Sequence, residues 1–170
     1  MKRHRGWVAL LVFAVLCIGG IWLVLKVTAE YPTLGEPVSY PVNQVEGFEL
    51  TIEEPSWSPF KGYTIFWKVT ADSKDIYTFS WDPEIEPGFE YLERCIDGQW
   101  YRLGYSQGNF PFNNMDFSLG GEDSSAFEGS IVQKYAYYGT RLEPGNYRVV
   151  LRMTSEDGTS HYLAAEFMVE

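Results

Sequence analysis

Two side chains in this sequence could make a nucleophile and its base. Cys95 offers a thiol, and His161 is the one histidine beyond residue 4. A thiol becomes a strong nucleophile when an imidazole within hydrogen-bond reach takes its proton. Nothing in the spacing brings the two together, and no G-x-S-x-G, H-E-x-x-H, C-x-x-C or P-loop run accompanies them. A surface histidine and a buried cysteine are the plainer expectation. Acids offer a second chemistry, at Asp82, Glu84, Glu86, Glu90 and Glu93. Paired carboxylates hydrolyse glycosides, and clustered oxygens bind calcium. The D-x-D-x-D-G loop is missing and no second acid is fixed in position, so a solvated acidic loop is expected. No metal or cofactor is implied. Aromatic rings are the third candidate. Trp57, Phe60, Trp100, Tyr105, Phe110 and Phe112 could line a platform for sugar rings or for a partner protein, since rigid rings give large contact area at low entropic cost. The same rings could instead close the ends of a core.

All of these must be held by strands. Aromatics make up 17% of the chain, beside 16 glycines and nine prolines, a mixture that suits short strands joined by turns. Phe48, Leu50 and Ile52 alternate with polar residues, as do Tyr63, Ile65, Trp67 and Val69, with Trp67 a candidate central ring. Ile76–Trp81 is a shorter strand, with Tyr77, Phe79 and Trp81 on one face. Phe89–Ile96 and Gln99–Tyr105 flank Asp97-Gly98, a strong hairpin signal. A two-residue loop sets Leu92 opposite Leu103 in the core. It sets Glu93 opposite Arg102 as an outer pair, worth under about 1 kcal/mol if exposed. Residues 106–125 form a long Gly/Asn/Ser/Phe-rich loop, of the kind that often carries function. Phe127–Val132 reads as a strand. Leu142-Glu143-Pro144-Gly145-Asn146-Tyr147 is a turn: Pro144 presets φ and Gly145 supplies φ > 0. It feeds a strand with Tyr147, Val149, Leu151 and Met153 on one face and Arg148 and Arg152 on the other. A tyrosine so placed can bury its ring while its hydroxyl bonds back to the turn, as in a tyrosine corner. After a turn at Ser155–Thr159, Leu163, Ala165, Phe167 and Val169 mark a last strand. Seven or eight antiparallel strands with short connections imply an all-β, two-sheet sandwich of immunoglobulin-like type over residues 46–170.

The first 29 residues differ in kind. Lys2, Arg3 and Arg5 precede Trp7–Leu25, 19 residues without a charge. As a helix at about 1.5 Å per residue that run spans roughly 28 Å, close to a bilayer's hydrocarbon thickness. The basic tip sets the N-terminus in the cytoplasm and the rest of the chain outside. An uncleaved signal anchor is the first reading. Cleavage after Val27-Thr28-Ala29 is the second. Lipidation at Cys17 is the third, and Leu16 before the cysteine speaks against it. Residues 30–45, with Pro32, Gly35, Pro37 and Pro41, read as an extended tether. Four of the 13 basic residues precede Glu30, whereas all 23 acids lie from Glu30 onward. A domain so acidic repels phosphate backbones, which argues against a nucleic-acid partner. With Cys17 in the apolar run, Cys95 has no partner for an internal disulfide within the folded part. An extracellular domain without disulfides fits a bacterial surface better than an animal one.

Tyr91-Leu92-Glu93, Asp97-Gly98-Gln99-Trp100-Tyr101, Tyr138-Gly139, Leu142, Pro144-Gly145 and Tyr147-Arg148 together are similar to a bacterial immunoglobulin-like domain. That family occurs in lipoproteins and membrane-anchored surface proteins of Gram-positive bacteria, and the resemblance spans Phe48–Val169. It implies a fold and brings no catalytic residues, and a usable lipobox is missing. The expectation is a non-enzymatic, membrane-anchored extracellular binding or adhesion module with a protein or cell-wall partner. The alternative is a carbohydrate-binding module working through Trp57, Trp100, Tyr105, Phe110 and Phe112.

Overall fold

A computed structural model describes residues 10–20, 31–58, 61–79, 90–104, 117–122, 125–132 and 138–170. The chain divides into two compact units, Met1–Glu30 and Tyr31–Glu170. In the first, residues 10–20 are helical with exposed side chains. Among the described residues no helix is long and apolar enough to cross a membrane. The flanks of the expected span, 1–9 and 21–29, lie outside the described residues, and so does the Val27-Thr28-Ala29 site.

The second unit is built of antiparallel strands in two sheets. The larger sheet contains β1 (Thr33–Pro37), β5 (Tyr77–Phe79), β6 (Glu90–Ile96), β7 (Gln99–Gly104), β8 (Phe117–Leu119), β10 (Gly145–Ser155) and β11 (Ser160–Val169). The smaller contains β2 (Phe48–Ile52), β3 (Ser56–Ser58), β4 (Gly62–Ala71) and β9 (Ser125–Val132). β10 is the axis of the larger sheet. It pairs with β11 along ten residues, from Gly145↔Val169 to Thr154↔Ser160, and on its other side with β6 and then β5. β4 is the axis of the smaller sheet, between β9 and the β2 and β3 segments.

Between the sheets lies one core. Phe48, Leu50, Ile65, Trp67, Val69, Phe79, Leu92, Leu103, Tyr147, Val149, Leu151, Met153 and Leu163 belong to it, as the alternation of their strands requires. Trp67 is 3% exposed and its indole N–H donates to Glu90 Oε2 at 2.9 Å. Phe117 comes from the long loop. It stacks on Phe79 and on Phe127, with centroids 4.7 and 3.9 Å away, so this ring plugs the core. The hairpin register agrees with the sequence: Glu93 pairs with Arg102 and Ile96 with Gln99. Asp97 and Gly98 have φ of 51° and 80°, the two left-handed residues that a two-residue hairpin turn of matching twist demands.

The structure departs from the sequence reading at residues 31–45 and at Glu93. Within the expected tether of residues 30–45, the described residues 31–45 are not free of the sandwich. β1 pairs with β7, and the segment after it crosses the outer face of the larger sheet to reach β11. β1 reads TLGEP, with no alternation and every side chain exposed, so the sequence carries no strand signal there. A strand with a single neighbour tolerates a proline because half its amides need no ladder partner. Glu93 is not an exposed outer residue: the crossing segment covers it completely.

Candidate functional site

The turn before β10 behaves as a tyrosine corner. The Tyr147 hydroxyl donates to the Glu143 carbonyl at 2.7 Å, and its ring is 1% exposed. Burial pushes that phenol up to about 12, against the opposing pull of Arg94. Arg94 closes the corner from β6. Its guanidinium lies over the Tyr147 ring, pairs with the Glu143 carboxylate and donates to the Pro144 carbonyl at 3.2 Å. Pro144 itself is exposed, and Gly145 takes a φ of 149°. Leu142 is buried alongside Tyr138, whose hydroxyl accepts the Leu92 amide N–H at 3.2 Å. These residues hold the loop end of the sandwich in shape. Tyr147→Phe is expected to cost about 1 kcal/mol in urea unfolding, since one buried neutral hydrogen bond goes while the ring stays.

The candidate binding rings separate. Trp57 lies in the smaller sheet, opposite Tyr63, and is 38% exposed with the Arg141 guanidinium 4.1 Å from its ring centre. Trp100 lies in the larger sheet, half-buried, with the Arg148 guanidinium 4.3 Å from its ring centre. The two rings therefore do not form one stack. Trp57 stays open to solvent, while Trp100 caps a buried cation. Phe60, Tyr105, Phe110 and Phe112 lie outside the described residues.

Cys95 and His161 are far apart. Arg94, next to Cys95, pairs with Tyr147 near the start of β10, and His161 pairs with Met153 near its end. At roughly 3.3 Å per residue that is on the order of 20 Å, too far for proton transfer between them. His161 instead faces the Tyr77 ring edge-on and has its Nε2 3.4 Å from Ser155 Oγ. Ser155 Oγ donates to Asp157 Oδ1 at 2.6 Å. The serine stands in the middle here, whereas a catalytic relay needs the histidine there. Hydrogen bonds from Ser155 and the Thr159 amide hold the exposed Asp157 carboxyl down near 2, which fixes the turn between β10 and β11.

Of the five clustered acids, the structure describes Glu90 and Glu93. Asp82, Glu84 and Glu86 lie outside the described residues. Glu90 and Glu93 are three apart on one strand and so face opposite sides of the sheet. Glu90 turns inward to Trp67. Glu93 turns outward into an alternating row across four strands: Arg102, Glu93, Arg148 and Glu166 occupy successive paired positions. Among the described residues no group of three or more acid, His or Cys side chains could hold a metal ion.

This row is the feature that residue spacing did not reveal. Arg148 Nε and Nη2 both lie 2.7 Å from Glu93 Oε2. The Tyr40 hydroxyl donates to Glu93 Oε1, and Arg102 Nη2 donates to the Tyr40 oxygen at 3.4 Å. Desolvation and the neighbouring carboxylate both raise the Tyr40 phenol well above its ordinary value. Tyr40 also stacks on Tyr162, centroids 3.9 Å apart. A small second core of Tyr91, Val150 and Ala164 lies beneath, with Tyr40, Val42 and Tyr162 packed on it. The signal that could have exposed it is Val150, an apolar residue on the polar phase of β10.

Compared with known proteins, the chain matches no family model and no curated protein. A solved structure described as "X-ray structure of Northeast Structural Genomics Consortium target SoR45" aligns over 76% of this chain and 88% of its own, at 9% identity and a TM-score of 0.37.

Proposed function

We propose that this chain is a non-enzymatic binding or adhesion module of a bacterial cell surface, immunoglobulin-like in type, moored by its N-terminal helix with residues 31–170 outside. The observation that carries the binding reading is the open Trp57 ring with Arg141 stacked on it, in a sandwich whose corner is pinned by Tyr147 and Arg94. A half-exposed indole under a guanidinium is a rigid amphipathic contact of the kind that protein interfaces favour. The distance between Cys95 and His161 supports a role other than thiol catalysis. The mooring reading rests on the 19 uncharged residues of Trp7–Leu25 behind a basic tip.

Two measurements test this. The full chain with a C-terminal epitope tag should fractionate with membranes, and protease added to intact cells should remove the tag. A soluble or protected tag would overturn the mooring. For binding, Trp57→Ala should abolish surface cross-links formed through residue 57's neighbourhood while shifting the melting temperature by less than about 4 °C, since partly exposed rings contribute little to stability. Unchanged cross-linking would overturn the assignment of this ring.

A further inference from the structure

We propose that the Trp57–Arg141 stack is a carboxylate receptor for a partner peptide segment that presents one carboxylate beside an apolar side chain. The inference rests on the reading of Trp57 as a contact ring and names what that ring contacts.

Charge pairing sets Arg141 apart. The chain from Glu30 onward holds all 23 acids and nine of the 13 basic residues, so carboxylates greatly outnumber cations. Lys68 pairs with Glu128, Arg94 with Glu143 and Arg148 with Glu93. Among the described residues Arg141 has no such partner, and its contact is the Trp57 ring, 4.1 Å from the guanidinium carbon. Glu143, two residues further on, is taken by Arg94. Lys61, exposed on the same hairpin as Trp57, likewise has no carboxylate partner among the described residues.

This geometry suits an incoming anion. At that distance the guanidinium meets the indole through its face and keeps its N–H donors around its rim. Those donors form a fork that matches a carboxylate through two parallel hydrogen bonds. Both halves of the stack are held in advance. Trp57 lies in β3, opposite Tyr63 of β4, and the Ser58 hydroxyl accepts the Lys61 amide at 3.2 Å beside the turn. Arg141 stands between Tyr138 and Leu142, which are 2% and 6% exposed. A site organised before binding loses little freedom when its occupant arrives. The indole is 38% exposed, which leaves ring surface for an apolar side chain next to the carboxylate.

The surroundings narrow the occupant further. Glu53 and Glu54 are exposed shortly before Trp57, so a run of acids is repelled. A single carboxylate about 4 Å from Arg141 gains more from that contact than it loses to charges beyond a screening length of about 8 Å. A neutral sugar fits less well. It would leave the guanidinium fork unfilled, and the guanidinium already covers one face of the indole.

The test titrates the full chain, isotope-labelled and in detergent micelles, with N-acetyl-leucyl-glutamyl-glycine amide. A parallel titration uses the glutamine form of the same peptide. The Trp57 indole N–H and Arg141 Nε–H resonances report binding. The glutamate peptide should bind at least about tenfold more tightly, the factor that a hydrogen bond to a charged group implies. Arg141→Gln should bring that ratio close to one while moving the melting temperature by less than about 4 °C. Equal binding of the two peptides to the wild type would overturn the proposal, as would a glutamate preference that survives in Arg141→Gln. So would a uronic acid oligosaccharide that saturates the same resonances at lower concentration than the glutamate peptide. The wild-type comparison needs no variant, so it decides the matter even where Arg141→Gln fails to fold. Surface cross-linking separates this proposal from the reading beneath it. If Arg141→Gln keeps the cross-links that Trp57→Ala abolishes, the carboxylate assignment alone fails; if Trp57→Ala keeps them too, both fail.

Discussion

Glu93→Ala is expected to lower the unfolding free energy by about 3–5 kcal/mol, the range for breaking one half of a buried ion pair. The carboxylate is wholly enclosed, and it holds the Arg148 guanidinium through two contacts of 2.7 Å and the Tyr40 hydroxyl through a third. Truncation leaves the 5%-exposed Arg148 charged and without its counter-ion. It also removes the acceptor of the covering tyrosine, so the loss spreads to the segment above. The double substitution Glu93→Leu with Arg148→Met is expected to recover most of the stability, because two apolar side chains of similar size carry no desolvation penalty. Urea unfolding followed by tryptophan fluorescence measures both. A single-variant loss below about 1 kcal/mol would show that water reaches this pair and that the crossing segment does not seal it.

A second large effect is expected as a function of pH. Burial raises the Glu90 carboxyl from its ordinary 4.5 to about 7, partly opposed by the hydrogen bond from Trp67. Between those values the folded chain holds a proton that the unfolded chain has released. The stabilisation is therefore full below about pH 4.5 and is lost as the pH rises through 7, at up to about 1.4 kcal/mol per unit. Glu90→Gln keeps an oxygen for the indole N–H and removes the ionisation. At pH 8 the variant should be more stable than the wild type by about 2–3 kcal/mol, and at pH 4 nearly equal to it. Equal stability of the two proteins at pH 8 would contradict this account of Glu90.

What was legible in the sequence is local, and what was not comes from distant chain. Asp97-Gly98 fixed a register because both residues accept the left-handed backbone that the turn needs. Tyr147 after Pro144-Gly145 gave the corner, and strict alternation gave the inward faces of β2, β4, β10 and β11. Residues 30–45 gave no such signal. Their prolines, glycine and exposed side chains describe a tether as well as they describe β1 and the crossing segment. Glu93 and Arg148 sit on polar phases of their strands and so looked solvated, because their cover arrives from residues more than fifty positions earlier. The aromatic rings suffered likewise. Whether an indole binds a ligand or shields a guanidinium depends on Arg141, in the turn before β10, and on Arg148, within β10, and both come from parts of the chain distant from their rings. For Cys95 and His161, spacing along the chain said nothing, and the length of β10 decides the matter.

The same thirteen residues, 31–43, hem two margins of the larger sheet, at β7 and at β11. β1 lies along β7 on one side, exposed throughout and ending in Pro37, while Asn43 occupies the ladder sites of Ala164 on the other. Bare strand margins recruit other chains, and proline or a side-chain plug prevents it. A chain trimmed to begin at Glu46 would therefore carry two unguarded rims on one slab, a geometry that propagates head to tail. Such a fragment is expected to form thioflavin-positive fibrils at concentrations where the full domain stays dispersed.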